Sequence, residues 1–361
     1  MNHPVRLLAI GLVGFCSSAW GAFAAPQCPS NVLYVSSDFG HEVLRYDATT
    51  GLFIDTFVSA AAATGLDQPH GILDRGSDVL VASFGTDQIL RYDRDTGALL
   101  NVFVDSTSGL DNPVYILVGP DENLYVASQG SDEILRYDST GTLIDAFVTA
   151  GDGGLDGPSG IAFGPDGRFY VAGRYSANVI VYDGTTGAFD EVLVDSGDGL
   201  TSGNTFGLQF GDNGDLYFVS NNAVFRYDLN TSNIVTTINF GFPIGLEPGL
   251  SGGIFVADNN NLSLIDTGDN SVTSSFLSGG SINLLNFFHF SNVTVPGIVG
   301  DSDCDGDVDL IDYALLHECL AGPEVTPPAM SPDCVDVFDG DNDGDVDLAD
   351  ANAFWLAFGG P

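Results

Sequence analysis

The stretch LYVSSDFGHEVLRYDATTGLFIDTFV, running from Leu33 to Val58, decides the fold because the chain writes it more than once. VLVASFGTDQILRYDRDTGALLNVFV follows from Val79 and LYVASQGSDEILRYDSTGTLIDAFV from Leu124, and fainter copies begin at Phe169, Leu216 and Ile254. The starts are separated by 46, 45, 45, 47 and 38 residues. A period of this size holds four short strands, one unit of a radially repeated all-β architecture. In the fourth copy the strands are readable directly as Gly160 to Phe163, Phe169 to Ala172, Asn178 to Tyr182 and Phe189 to Val194. Each run is apolar or alternating, and turn residues bound it on both sides.

Two columns of charged residues run through the copies. Asp47, Asp93, Asp138, Asp183, Asp228 and Asp266 each open the turn between the third and fourth strands. There an aspartate bonds the backbone ahead of it, so the column reads as turn formers rather than as catalytic acids. Arg45, Arg91, Arg136 and Arg226 precede the tyrosines of the third strand. In an acidic chain these arginines relieve repulsion between neighbouring blades.

Counting strands predicts how the ring closes. The run Val32 to Ser36 is already the second strand of a blade, and a spare run, Ile282 to Val293, follows the sixth copy. Supplied as the innermost strand of the first blade, the late run closes a six-bladed β-propeller over residues 29–298 and leaves few open sheet edges.

Composition narrows the function classes. Against 49 acidic residues there are 9 basic ones, all arginine, for a formal charge of −40. Such a surface repels phosphate, which excludes a nucleic-acid binder, and it repels anionic membranes equally. With 44% hydrophobic and 11% aromatic residues the chain has material for a large core. Residues 1–24 read as a secretory signal peptide, with Arg6, an apolar run from Leu7 to Trp20, and Ala22-Phe23-Ala24 as cleavage site. That run is too short to span a membrane, and no later segment is long enough. The expected location is therefore extracellular or cell-surface. Removal of Cys16 leaves Cys28, Cys304, Cys319 and Cys334, which allow three pairings. Bridges 319 to 334, closing a Pro-rich connection, and 28 to 304 are the preferred guess.

From residue 301 onward the composition changes abruptly, to 16 acidic residues with no lysine or arginine. The series Asp301, Asp303, Asp305, Asp307, Asp309, Asp312 is repeated 38 residues later as Asp339, Asp341, Asp343, Asp345, Asp347, Asp350. Both series place oxygen ligands at loop positions 1, 3, 5, 9 and 12, glycine (Gly306, Gly344) at 6, and a backbone carbonyl at 7. Such spacing turns alternate carboxylates around a hard cation, so two calcium ions are expected. A short helix follows each loop, with Ile311, Leu315 and Cys319 on one face of the first and Ala353, Phe354, Ala357 and Phe358 on one face of the second.

The segment Gly157-Pro-Ser-Gly-Ile-Ala-Phe-Gly-Pro-Asp-Gly167 and its echo from Asn112 resemble the NHL-repeat and gluconolactonase-like six-bladed propellers. That architecture hosts lactonases, lyases and purely binding members. Aligning on the proline ahead of the inner strand gives His70, Val114, Ser159, Phe206 and Ile244, a column without a ring of ligands. His70, with His289 as its partner across the channel, is the candidate general base if the propeller resembles a streptogramin lyase. Residues 301–361, a duplicated loop and helix with aspartate at position 12, resemble a type I dockerin. This resemblance implies docking to a cohesin-like or other extracellular protein. The sequence reading is a secreted, calcium-binding, non-catalytic scaffold whose propeller takes a glycan, small-molecule or protein ligand. Its alternative is a lyase, lactonase or polysaccharide-active propeller.

Overall fold

The computed structural model describes residues 32–290, apart from positions 49, 61–64, 249–252, 259–260, 274–276 and 278–284. Among these residues the chain forms six four-stranded antiparallel sheets. The inner strands are Leu285–Phe290 in blade 1, Pro69–Asp74 in blade 2, Pro113–Val118 in blade 3, Pro158–Phe163 in blade 4, Thr205–Phe210 in blade 5 and Pro243–Pro248 in blade 6. Each inner strand touches the next in a closed cycle. Blades 1 and 4, and blades 3 and 6, therefore face each other across the axis.

Blade 1 is closed by the far end of the chain, as strand counting predicts. Leu285–Phe290 pairs antiparallel with Val32–Ser37, which continues into Glu42–Asp47 and Phe53–Val58. The closing strand falls inside the apolar run that announces it. In blade 4 the strands are Pro158–Phe163, Arg168–Gly173, Asn178–Asp183 and Phe189–Val194, within two residues of the sequence expectation.

Second strands lie between two neighbouring blades, so both of their faces are covered and they read as unbroken apolar runs. Val79–Ala82 and Phe169–Ala172 are fully buried. Fourth strands form the rim, and Phe189–Val194 is exposed along most of its length. The third-strand tyrosines Tyr46, Tyr92, Tyr137 and Tyr182 are completely enclosed. Tyr137 and Tyr182 keep their hydroxyls satisfied by donating to the carbonyls of Ser108 (3.1 Å) and Asp152 (2.8 Å).

Near the axis the blades meet backbone to backbone. A Cβ on Gly160 would lie 2.6 Å from the Leu208 nitrogen and 2.7 Å from the Phe206 oxygen. One on Gly207 would lie 2.7 Å from the Ile244 oxygen, and one on Gly71 2.9 Å from the Val114 oxygen. Only glycine fits such an approach. Blade 3 departs from this column with Tyr115.

Both charged columns have structural roles. Asp93 Oδ1 accepts from the Thr96 nitrogen (2.9 Å) and hydroxyl, and Asp183 Oδ1 accepts from the same two groups of Thr186. These bonds hold both carboxyls below their ordinary pKa. The arginine column pairs mainly within its own blade: Arg45 with Asp55 (2.6 Å), Arg91 with Asp78 (2.6 Å), Arg136 with Asp145 (2.6 Å) and Arg226 with Asp215 (2.6 Å). Contact with the next blade is secondary; Arg45 reaches the carbonyls of Arg94 and Asp95, and Arg226 reaches Asn270.

Candidate functional site in the central channel

Every inner strand carries a register shift close to its start, where an extra residue bulges against the second strand. Bulges re-aim side chains and recur beside binding sites. Because the shift occurs in all six strands, inner-strand residues can be compared level by level. His70 stands at the second position of its strand, at the mouth where the inner strands begin. His289, opposite Tyr34, shares the fifth position with Leu73, Leu117, Ala162, Gln209 and Glu247. The two histidines are thus on adjacent blades and three positions apart, about 10 Å along a strand. They hold different register positions on neighbouring rather than opposed blades, and Asn286 holds the register position of His70 in blade 1.

At the mouth, His70 stacks on Phe84 with ring centroids 4.5 Å apart, and its Nε2 lies 3.9 Å from Asp38 Oδ2. Burial lowers the His70 pKa; Asp38 opposes that shift, and the positive charge of Arg174 adds to it. The rest of the proline-aligned column is structural. Ser159 donates to the carbonyls of Thr205 and Phe206 on blade 5, while Val114, Phe206 and Ile244 are buried in the core.

Asp38, Phe84, Gln129 and Arg174 follow the second strands of blades 1 to 4 at equivalent positions around the mouth. Arg174 donates from Nη1 to Gln129 Oε1 (3.2 Å) and from Nε to the Gly203 carbonyl (3.4 Å). Its guanidinium lies over the rings of Tyr175 (5.3 Å) and Phe206 (4.9 Å). The Tyr175 hydroxyl also donates to Gln129 Oε1, at 3.4 Å. Sequence reasoning missed this cluster. The signal available was the residue immediately after each second strand, a column whose members differ from copy to copy.

Further along the axis the Tyr115 hydroxyl donates to Glu247 Oε1 at 2.8 Å, joining the opposed blades 3 and 6. Burial pushes the Glu247 carboxyl up to about 8, although the Tyr115 bond acts in the other direction. Tyr115 is raised well above its ordinary value, first by burial and then by Glu247. At neutral pH both groups are therefore protonated. This pair was also absent from the sequence reading, since its members are 132 residues apart and meet only when the ring closes.

Among the described residues no three His, Cys, Asp or Glu side chains converge as a metal site. The twelve aspartates of the two loop series, Asp301 to Asp312 and Asp339 to Asp350, with Cys28, Cys304, Cys319 and Cys334, the signal segment 1–24 and the module 301–361, lie outside the described residues. No described helix is long and apolar enough to cross a membrane.

No protein-family model and no curated protein matches the chain. Solved structures do match in shape. A crystal structure of a nidogen/laminin complex overlaps with a TM-score of 0.57 at 16% identity, covering 72% of this chain and 98% of that one. A proposed gluconolactonase gives 0.50 at 16% identity over 61% and 81% of the two chains. Virginiamycin B lyase from Staphylococcus aureus gives 0.44 at 16% identity over 60% and 71%. At these identities the first two bear on architecture alone, in keeping with the all-β, six-bladed propeller that the described residues form.

Proposed function

We propose that the propeller binds an extracellular ligand at the mouth of its channel without transforming it, and that a calcium-loaded tail attaches the protein to a partner. One contrast carries the binding reading. At the waist Tyr115 and Glu247 are committed to each other, whereas at the mouth Arg174 keeps a positive charge with no acidic partner among the described residues. Titrating the full chain with a panel of neutral and acidic saccharides, followed by NMR, tests this reading. Ligand line broadening with no new product resonances supports it; product resonances overturn the non-catalytic part.

In this proposal residues 1–24 direct export, and the two aspartate loops beginning at Asp301 and Asp339 each hold one calcium ion. Two ions offset four of the carboxylate charges that otherwise keep so small an acidic segment from folding. Affinity of the order of 0.1–1 mM is expected at the weak end for such modules. The docked partner is a cohesin-like or other extracellular protein. Chelator added to the full chain is expected to abolish a small helical signal in circular dichroism while the sheet signal persists. An unchanged spectrum would count against the calcium module.

The second reading, a propeller lyase, lactonase or polysaccharide-active enzyme, is favoured by one observation, the placing of Asp38 beside His70. There the aspartate would orient a neutral imidazole as general base. Substituting His70 by Asn in a preparation with turnover separates the readings: an unchanged rate removes this one.

A further inference from the structure

We infer that Arg174 anchors the carboxylate of a hydroxylated, sugar-acid ligand seated over the channel mouth; this deepens the binding reading above and rests on it. Every other arginine among the described residues has a carboxylate within ion-pair distance: Arg45, Arg75, Arg91, Arg94, Arg136, Arg168 and Arg226. In a chain of net charge −40, acids are the most abundant partners available, so an arginine left with neutral ones is the exception to explain. Arg174 is that exception. Its side-chain hydrogen bonds run from Nη1 and Nε to an amide oxygen and a backbone carbonyl, and among the described residues Nη2 makes none.

The guanidinium is held ready. The Arg174 nitrogen donates to the Gly157 carbonyl (2.8 Å), and the Gly203 nitrogen donates to the Arg174 carbonyl (2.7 Å). Two aromatic rings support the side chain, and Gln129, 5% exposed, fixes its reach. A planar fork pre-positioned in this way suits a carboxylate better than a point charge does. Asp38, 5% exposed, holds the equivalent position on blade 1, opposite blade 4, and a carboxylate is an acceptor for hydroxyl donors. The Tyr175 ring, 44% exposed, offers an apolar face to the C–H groups of a sugar ring, beside the stacked pair of His70 and Phe84. A molecule with a carboxylate at one end and hydroxyls at the other satisfies both sides.

The test uses the full chain, with glucuronate and galacturonate as acidic probes and glucose and galactose as their neutral counterparts, in calorimetric and NMR titrations. The acidic probes are expected to bind at least tenfold more tightly. Arg174→Gln is expected to weaken them by about 10- to 100-fold, the usual cost of losing hydrogen bonds to a charged group, and to leave the neutral sugars unchanged. Gln129→Glu places an acid on the guanidinium and should produce the same loss in a folded protein, as checked by thermal melting. Equal affinity for acidic and neutral probes, or unaltered affinity in both variants, overturns the carboxylate anchor. If Phe84→Ala then weakens binding, the mouth still stands as the binding surface. If none of the four probes binds, the carboxylate anchor falls, while the binding reading is decided by the saccharide panel above.

Discussion

The waist and the mouth of this channel are built by the same six blades, the one from inner strands and the other from the ends of second strands, yet they use polar side chains in opposite ways. At the waist, Tyr115 and Glu247 satisfy each other across the ring. Near them the glycine column lets adjacent backbones approach within van der Waals contact. At the mouth, the equivalent positions on blades 1 to 4 carry Asp38, Phe84, Gln129 and Arg174, four different chemistries held by rigid neighbours. The repeat is kept in the buried second strands and the aspartate turns, and it is broken both at the mouth and by Tyr115 and Glu247 at the waist.

The sharpest way to break this comparison is through Glu247. Its carboxyl sits at about 8 in the folded protein, against an ordinary 4.5. The folded state thus holds the proton more tightly, and its stabilising effect is full below about 4.5 and is lost as pH rises through 8. Glu247→Gln removes that titration. The fall in melting temperature between pH 5 and pH 9 is expected to shrink by roughly 5–10 °C; an unchanged pH profile would mean that the carboxyl is ionised and solvated.

Next comes the glycine column. Gly160→Ala drives a methyl group into the backbone of Leu208 and Phe206 and is expected to cost about 1–3 kcal/mol in denaturant unfolding. Tyr115→Phe deletes the hydroxyl of the cross-channel bond and should cost about 0.5–1.5 kcal/mol. The smallest effects sharpen the contrast. Arg136→Gln, at a pair whose Asp145 is 45% exposed, and Arg174→Gln at the mouth should each change stability by less than about 1 kcal/mol. If Arg174 proved far costlier to remove than Arg136, the mouth would be an element of folding rather than of recognition.

Much of the ring was legible in the residues because its signals are local and repeated. Apolar second strands, aspartate turns and a displaced first strand each recur or leave a visible remainder, and Leu285–Phe290 pairs where that remainder predicted. His70 was found because a proline marks the start of its strand. Its level relative to His289 was not, since a bulge in every inner strand sets the register. Tyr115 and Glu247 occupy the third and fifth positions of strands on opposite blades, and no local pattern links them. Arg174 differs from the other arginines by what does not surround it, a property that exists only in three dimensions. The aspartate loops are the reverse case: their ligand spacing is local and readable, and they lie outside the described residues.

The clasp between Val32–Ser37 and Leu285–Phe290 also governs when the molecule can finish folding. A ribosome adding about 5–20 residues per second delivers the second partner on the order of 10–50 s after the first. Throughout that delay the earliest strand has an unoccupied edge, which invites mispairing with another nascent chain. Holding the polypeptide unfolded until its whole length has emerged would avoid this hazard, and transport across a membrane in extended form imposes just such a wait.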